Sequence, residues 1–70
     1  MSWKPAVKVS GENDFILNGL TFATEAEALG NARTVKAGWS MVDEVKAVEV
    51  DTAENPVNRK WIDGKTEMIK

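Results

Sequence analysis

The sequence predicts an α+β domain, with a single helix packed on one face of a four- or five-stranded antiparallel sheet, in the order β-β-α-β-β-β. Three observations predict this. Only the segment from Thr24 to Gly38 combines helical spacing of its apolar residues with a start signal. Short β-favouring runs flank it on both sides, separated by turns rich in Gly, Asn and Asp. Seventy residues leave room for one core, so 1–70 is read as a single domain.

Lys4 to Val9 reads KPAVKV. Ala6 and Lys8 share one parity and Val7 and Val9 the other, as in a half-buried strand. Pro5 has no N–H, so it belongs among the strand's first residues or on a sheet edge. Ser10-Gly11-Glu12-Asn13-Asp14 is a polar turn, and Phe15-Ile16-Leu17 is a short apolar strand. Together they predict a hairpin of Pro5–Val9 with Phe15–Leu17. Asn18-Gly19 tolerates positive φ at both residues. It either closes a second tight hairpin onto Leu20–Phe22 or turns the chain towards the helix. The second reading is preferred, because the helix begins so soon after Phe22.

Thr24-Glu25-Ala26-Glu27 is a capping box. The Thr24 hydroxyl can accept from the Glu27 amide, and the Glu27 carboxylate can reach back to the Thr24 amide. Glu25 and Glu27 suit the positive end of the helix dipole, and Arg33 and Lys36 suit the other end. Leu29, Ala32, Val35 or Lys36, and Trp39 recur at helical spacing, with Ala28 beside them. An internal Gly costs about 1 kcal/mol against Ala. Gly30 therefore predicts a backbone or aromatic ring packed against the helix. Gly38 marks the helix end. The face Ala28, Leu29, Ala32, Val35 and Trp39 is expected to meet Phe15, Leu17, Phe22, Val45, Val48 and Ile62.

Met41 to Val50 reads MVDEVKAVEV and is rich in strand formers. Its alternation slips, since Lys46, Val48 and Val50 share one parity and Val45 and Ala47 the other. Either a bulge or a strand covered on both faces explains that. Asp51 to Pro56 is a polar loop. Val57 to Ile62 and Lys65 to Ile69 are strands joined by the hairpin turn Asp63-Gly64.

The stretch from Asn18 to Trp61 resembles a family of small uncharacterised proteins of bacteria and their phages. The resemblance is carried by Asn18-Gly19-Leu20-Thr21-Phe22-Ala23-Thr24 with Glu27-Ala28, by Trp39 and Val42, and by Pro56-Val57-Asn58-Arg59-Lys60-Trp61. The helix departs from the family pattern at Gly30 and Asn31, where relatives often carry a larger or aromatic residue. It departs again at Gly38, where an Arg commonly precedes the Trp. The family carries no assigned activity. The resemblance implies the element order above and a bacterial or phage origin, and it carries over no functional residue.

Composition excludes much of the usual chemistry. The chain has neither Cys nor His, so disulfides, thiolate metal sites and the common general base are missing. Its five glycines are scattered and form no phosphate-binding loop. Asp43-Glu44 and Asp51 with Glu54 are acid pairs without further ligands or a cleft, and are read as solvated. No catalysis, cofactor or metal is expected. Nine Lys and Arg against eleven Asp and Glu give a net charge of −2, which argues against bulk attraction to nucleic acid or anionic membrane. The apolar runs fall far short of the ~20 residues of a membrane span, and MSWKPAVKVS holds no signal-peptide core. A cytoplasmic protein is expected.

The candidate partner-binding residues are Trp3, Lys46, Arg59, Lys60 and Trp61. Trp3, near the terminus, either caps the core or anchors a partner. Trp39, on the helix stripe, reads as a core anchor. Trp61 is either core or exposed on an open sheet face. Arg59-Lys60-Trp61, extended by Lys46 and Arg33, matches the cation-and-ring composition of a nucleic-acid patch. Solvated strand charges are the preferred reading, given the negative net charge. The sheet face opposite the helix is a second candidate surface, with Lys46, Lys60 and Trp61 rimming an apolar strip at Val48 and Val50. A bulge returning those valines to the core is the alternative. The expectation is a non-catalytic interaction protein, such as a phage-encoded regulator or inhibitor of a host protein, whose partner is a protein or a second copy. The alternatives are a weak nucleic-acid-binding module and a structural homodimer.

Overall fold

The computed structural model describes residues 1–17 and 19–69. Its elements are β1 (Ser2–Val9), β2 (Ile16–Leu17), α1 (Glu25–Gly38), β3 (Val42–Val50), β4 (Arg59–Ile62) and β5 (Lys65–Met68). The class is α+β, with one helix among the described residues. The expected single sheet of four or five strands does not form. The strands divide into an antiparallel three-stranded sheet, β2-β1-β3, and a separate hairpin, β4-β5.

The loop after β3 explains the division. Asp51 accepts from the amides of Asn55 (2.8 Å) and Ala53 (2.7 Å, at Oδ1) and curls the chain away from β3. The Ser2 hydroxyl then donates to the Asn55 carbonyl at 2.7 Å, drawing the loop across the end of β1. The chain arrives at Thr21, whose carbonyl accepts from the amides of Asn58 (3.0 Å) and Arg59 (3.1 Å). β4 therefore starts beside the segment that precedes the helix, and the edge of β3 stays open.

Pro5 is the fourth residue of the central strand, a correction to its expected place at a strand start or edge. Trp3 and Phe22 exchange two backbone hydrogen bonds, at 2.8 and 2.7 Å. The Trp3 amide thus points away from β3, and so does the nitrogen of Pro5, two residues on. That nitrogen faces the interval between Leu17, paired with Ala6, and Phe22, paired with Trp3. A missing donor costs nothing where no ladder partner stands. The expected Asn18-Gly19 turn falls on Asn18, which lies outside the described residues.

Thr24 caps α1 with its hydroxyl, which accepts from the Glu27 amide at 3.2 Å. α1 lies over β1 and β3. Val7, Ala32 and Val42 form the core cluster, with Val35 and Val45 packed on it. Ala28 and Phe22 are also fully buried. Trp39 is 43% exposed and is not a core anchor. The helix ends at Gly38 and Trp39 is its C-cap with extended backbone, φ −135°. The helical stripe therefore stops one residue short of it.

The irregularity of β3 sits at Asp43. Lys8 pairs with Glu44 and Val9 with Val42, leaving Asp43 as the extra residue. Beyond it, Val45 to Val50 pairs regularly with Val7 to Ser2. The two parities of that stretch therefore face opposite sides of the sheet. Asp63 and Gly64, at φ 50° and 78°, make the turn between β4 and β5, as a two-residue connection requires.

Candidate functional site

The face of the sheet away from the helix is built by register. Val7 and Val45 oppose one another and both belong to the helix-side cluster. Their neighbours Ala6 and Lys46 therefore point outward, and Leu17, opposite Ala6, joins them. Val48 and Val50 share the parity of Lys46. The Lys46 ammonium crosses the sheet to stand 4.1 Å from the centre of the Phe15 ring, which places that ring on the outer face too. Phe15, Leu17, Ala6, Val48 and Val50 thus share a face with no helix over it, together with Lys4, which pairs with Val48. Leu17 is 47% exposed, whereas Ala6 is fully covered by its larger neighbours. Lys8 pairs with Glu44 at 3.7 Å on the same face. The expectation that Phe15, Leu17 and Val48 meet the helix is corrected by this register. Ile62, 44% exposed, is also outside the core.

The hairpin is fixed to the helix by side chains. Gly30 leaves a notch in α1, and a Cβ placed there would lie 2.9 Å from the Trp61 Nε1. The ring that Gly30 anticipates is therefore that of Trp61, which is half-buried. Glu27 differs from a reciprocal capping box. One of its carboxylate oxygens accepts from the Thr24 hydroxyl at 3.0 Å and the other from the Trp61 amide at 3.0 Å. Asn31, on the same side, donates to the Thr66 hydroxyl at 2.9 Å. Asn58 donates to the Gly19 carbonyl (2.9 Å) and accepts from the Thr21 amide (2.8 Å). Asn58 is therefore a clip between distant segments.

The five candidate residues do not converge. Trp3 is half-buried on the helix-side face of β1, next to Phe22. Lys46 is on the outer face. Arg59, Lys60 and Trp61 are on the hairpin, and alternation sends Lys60 to the opposite side from the other two. The Arg59 guanidinium donates to the Asn58 carbonyl at 2.9 Å, and the Lys60 ammonium stands 3.8 Å from Glu67. The cations are separately engaged and the ring lies against Gly30. Lys60 and Trp61 are not on the outer sheet face, which corrects their expected place on its rim.

Sequence reasoning missed Phe15 and Leu17 as surface residues. Their signal is the Phe15-Ile16-Leu17 alternation, which needs the pairing of Ala6 with Leu17 to be oriented. Among the described residues, no cavity is found and no three Asp or Glu carboxylates gather in one place. No helix of the described residues is long and apolar enough to cross a membrane. Comparison of the chain with protein-family models, with curated proteins and with solved structures gives no match.

Proposed function

We propose that this chain is a non-catalytic protein-interaction module that works through the outer face of its three-stranded sheet. The observation that carries the reading is the set Phe15, Leu17, Ala6, Val48 and Val50, uncovered by the helix and interleaved with Lys4, Lys8 and Lys46. An apolar centre with a charged border is the usual composition of a binding patch. A cytoplasmic regulator or inhibitor of a host protein, phage-encoded, is the role proposed with it, in line with the resemblance of Asn18 to Trp61.

The test compares wild type with Leu17→Glu in pull-downs from bacterial lysate, with circular dichroism as the control for folding. Leu17 is half-exposed and outside the core, so the variant is expected to melt like wild type. A partner held by wild type and lost by Leu17→Glu supports the reading. A partner held equally by both refutes it. Recovery of nucleic acid alone, lost at moderate salt, refutes it in favour of phosphate binding through Arg59 and Lys60, because phosphate contacts weaken steeply with salt.

A further inference from the structure

β3 is the outermost strand of its sheet and runs for nine residues. Trp3 directs both backbone groups at Phe22, away from β3. Residues of alternate parity point the other way, so Ser2, Lys4 and Ala6 direct their groups at Val50, Val48 and Lys46. On β3 the N–H and C=O of Val45, Ala47 and Glu49 consequently project outward. Among the described residues, none of these three makes a backbone hydrogen bond beyond the sheet. An open edge of this length is a template for another strand, and charged side chains commonly guard such edges. Here two of the charges are drawn inward. Glu44 turns to Lys8, and Lys46 reaches across β1 to Phe15.

We infer that the β3 edge is a self-association site, where β3 of a second copy adds antiparallel about a twofold axis at Ala47. This inference does not rest on the partner-binding reading of the outer face. The axis follows from self-complementarity. With Ala47 opposite its counterpart, Val45 lies opposite Glu49 of the second copy, and all three outward residues exchange hydrogen bonds. Lys46 then opposes Val48, and Glu44 opposes Val50, so no like charges face one another directly. An axis at Lys46 would oppose the two Lys46 side chains. An axis at Val45 would bring the extra residue Asp43 into the ladder, where a bulge breaks pairing. The two sheets become one continuous sheet, and the two Val48 and Val50 pairs meet on the same side.

Amide hydrogen exchange at increasing protein concentration tests this, with sedimentation velocity reporting mass. The amides of Val45, Ala47 and Glu49 are expected to gain protection together, by about tenfold or more, as the dimer forms. Those of Glu44, Lys46 and Val48 already face β1 and are expected to keep theirs. Glu49→Pro removes an outward donor and none directed at β1. It is expected to keep the monomer's circular dichroism and to weaken association at least about tenfold. A chain that stays monomeric, a dimer without protection of the three amides, or a folded Glu49→Pro that associates like wild type overturns the inference. Should Glu49→Pro fail to fold, the double variant Lys46→Cys with Val48→Cys decides. The chain has no other Cys, and an axis at Ala47 sets residue 46 opposite residue 48 of the second copy in a non-hydrogen-bonded pair, the closer kind and the one within disulfide reach. A covalent dimer on oxidation supports the axis at Ala47, and its absence overturns it.

Discussion

Replacing Gly30 by Ala is expected to destabilise the protein, although Ala is the better residue in the middle of a helix. On propensity alone the change contributes about 1 kcal/mol of stability. The added methyl group would lie 2.9 Å from Trp61 Nε1, 3.1 Å from Cε2 and 3.3 Å from Cδ1. Carbon atoms prefer separations of about 3.5–4.0 Å, so ring and helix must part by several tenths of an ångström. The Trp61 backbone is fixed, its amide held by Glu27 and its strand paired with β5, so the ring must turn about its own side-chain bonds and give up its seat on the helix. Overpacking of this kind costs about 1–3 kcal/mol. The balance is a net loss of about 1 kcal/mol, which for a domain of this size lowers Tm by about 4–8 °C. Urea denaturation followed by circular dichroism at 222 nm measures it. The decisive comparison repeats Gly30→Ala in a Trp61→Ala background. With the ring gone, the same methyl group is expected to stabilise, giving a coupling of about 1–3 kcal/mol in the double-mutant cycle. Stabilisation by Gly30→Ala in both backgrounds, with no coupling, would refute the notch.

Asn58→Ala removes the clip to Gly19 and Thr21 and is expected to cost about 1–3 kcal/mol in chemical denaturation, with Asn58→Asp intermediate because it keeps only the acceptor. Asn31 is 7% exposed, and its Oδ1 is buried without a partner. Replacing Asn31 with Leu and Thr66 with Val together removes that group and the hydrogen bond at once, so calorimetry should show a Tm equal to or above wild type. Thr24→Ala deletes the N-cap and is expected to cost about 1 kcal/mol. Thr24→Ser, which keeps the hydroxyl, should restore most of it.

Features fixed by near neighbours in the chain were legible in the sequence. Thr24 caps the helix and Asp63-Gly64 turns the hairpin, each through a local conformational requirement of its own residues. Gly30 was legible for another reason: a glycine inside a helix signals a close neighbour, although the ring it receives comes from the distant Trp61. What was not legible depends on pairing between distant segments. The sequence pattern of β4 and β5 suits either a shared sheet or a separate hairpin, and the hydrogen bonds of Ser2, Asn55 and Thr21 decide between them. Phe15 and Leu17 read as core because they are apolar, and their register with β1 turns them outward. Trp39 failed for a smaller reason. Helical spacing was extended one residue past the point where the backbone leaves the helix. The outer face was partly legible, in that Lys46, Val48 and Val50 share it, while Lys60 and Trp61 belong to another element.

The attachment of β4-β5 without a strand ladder has a consequence for how the molecule opens. Among the described residues, no ladder joins the hairpin to β1, β2 or β3. Lifting it breaks the contacts of Glu27, Asn31 and Asn58 and the bond of the Arg59 amide to the Thr21 carbonyl, and withdraws one indole from the helix, while the three-stranded ladder stays closed. The protein is therefore expected to open in two units of unequal strength, with the hairpin's amides exchanging through a partial opening before the global one. A protease that nicks the hairpin in that opened form meets a remainder whose outer sheet face is unchanged.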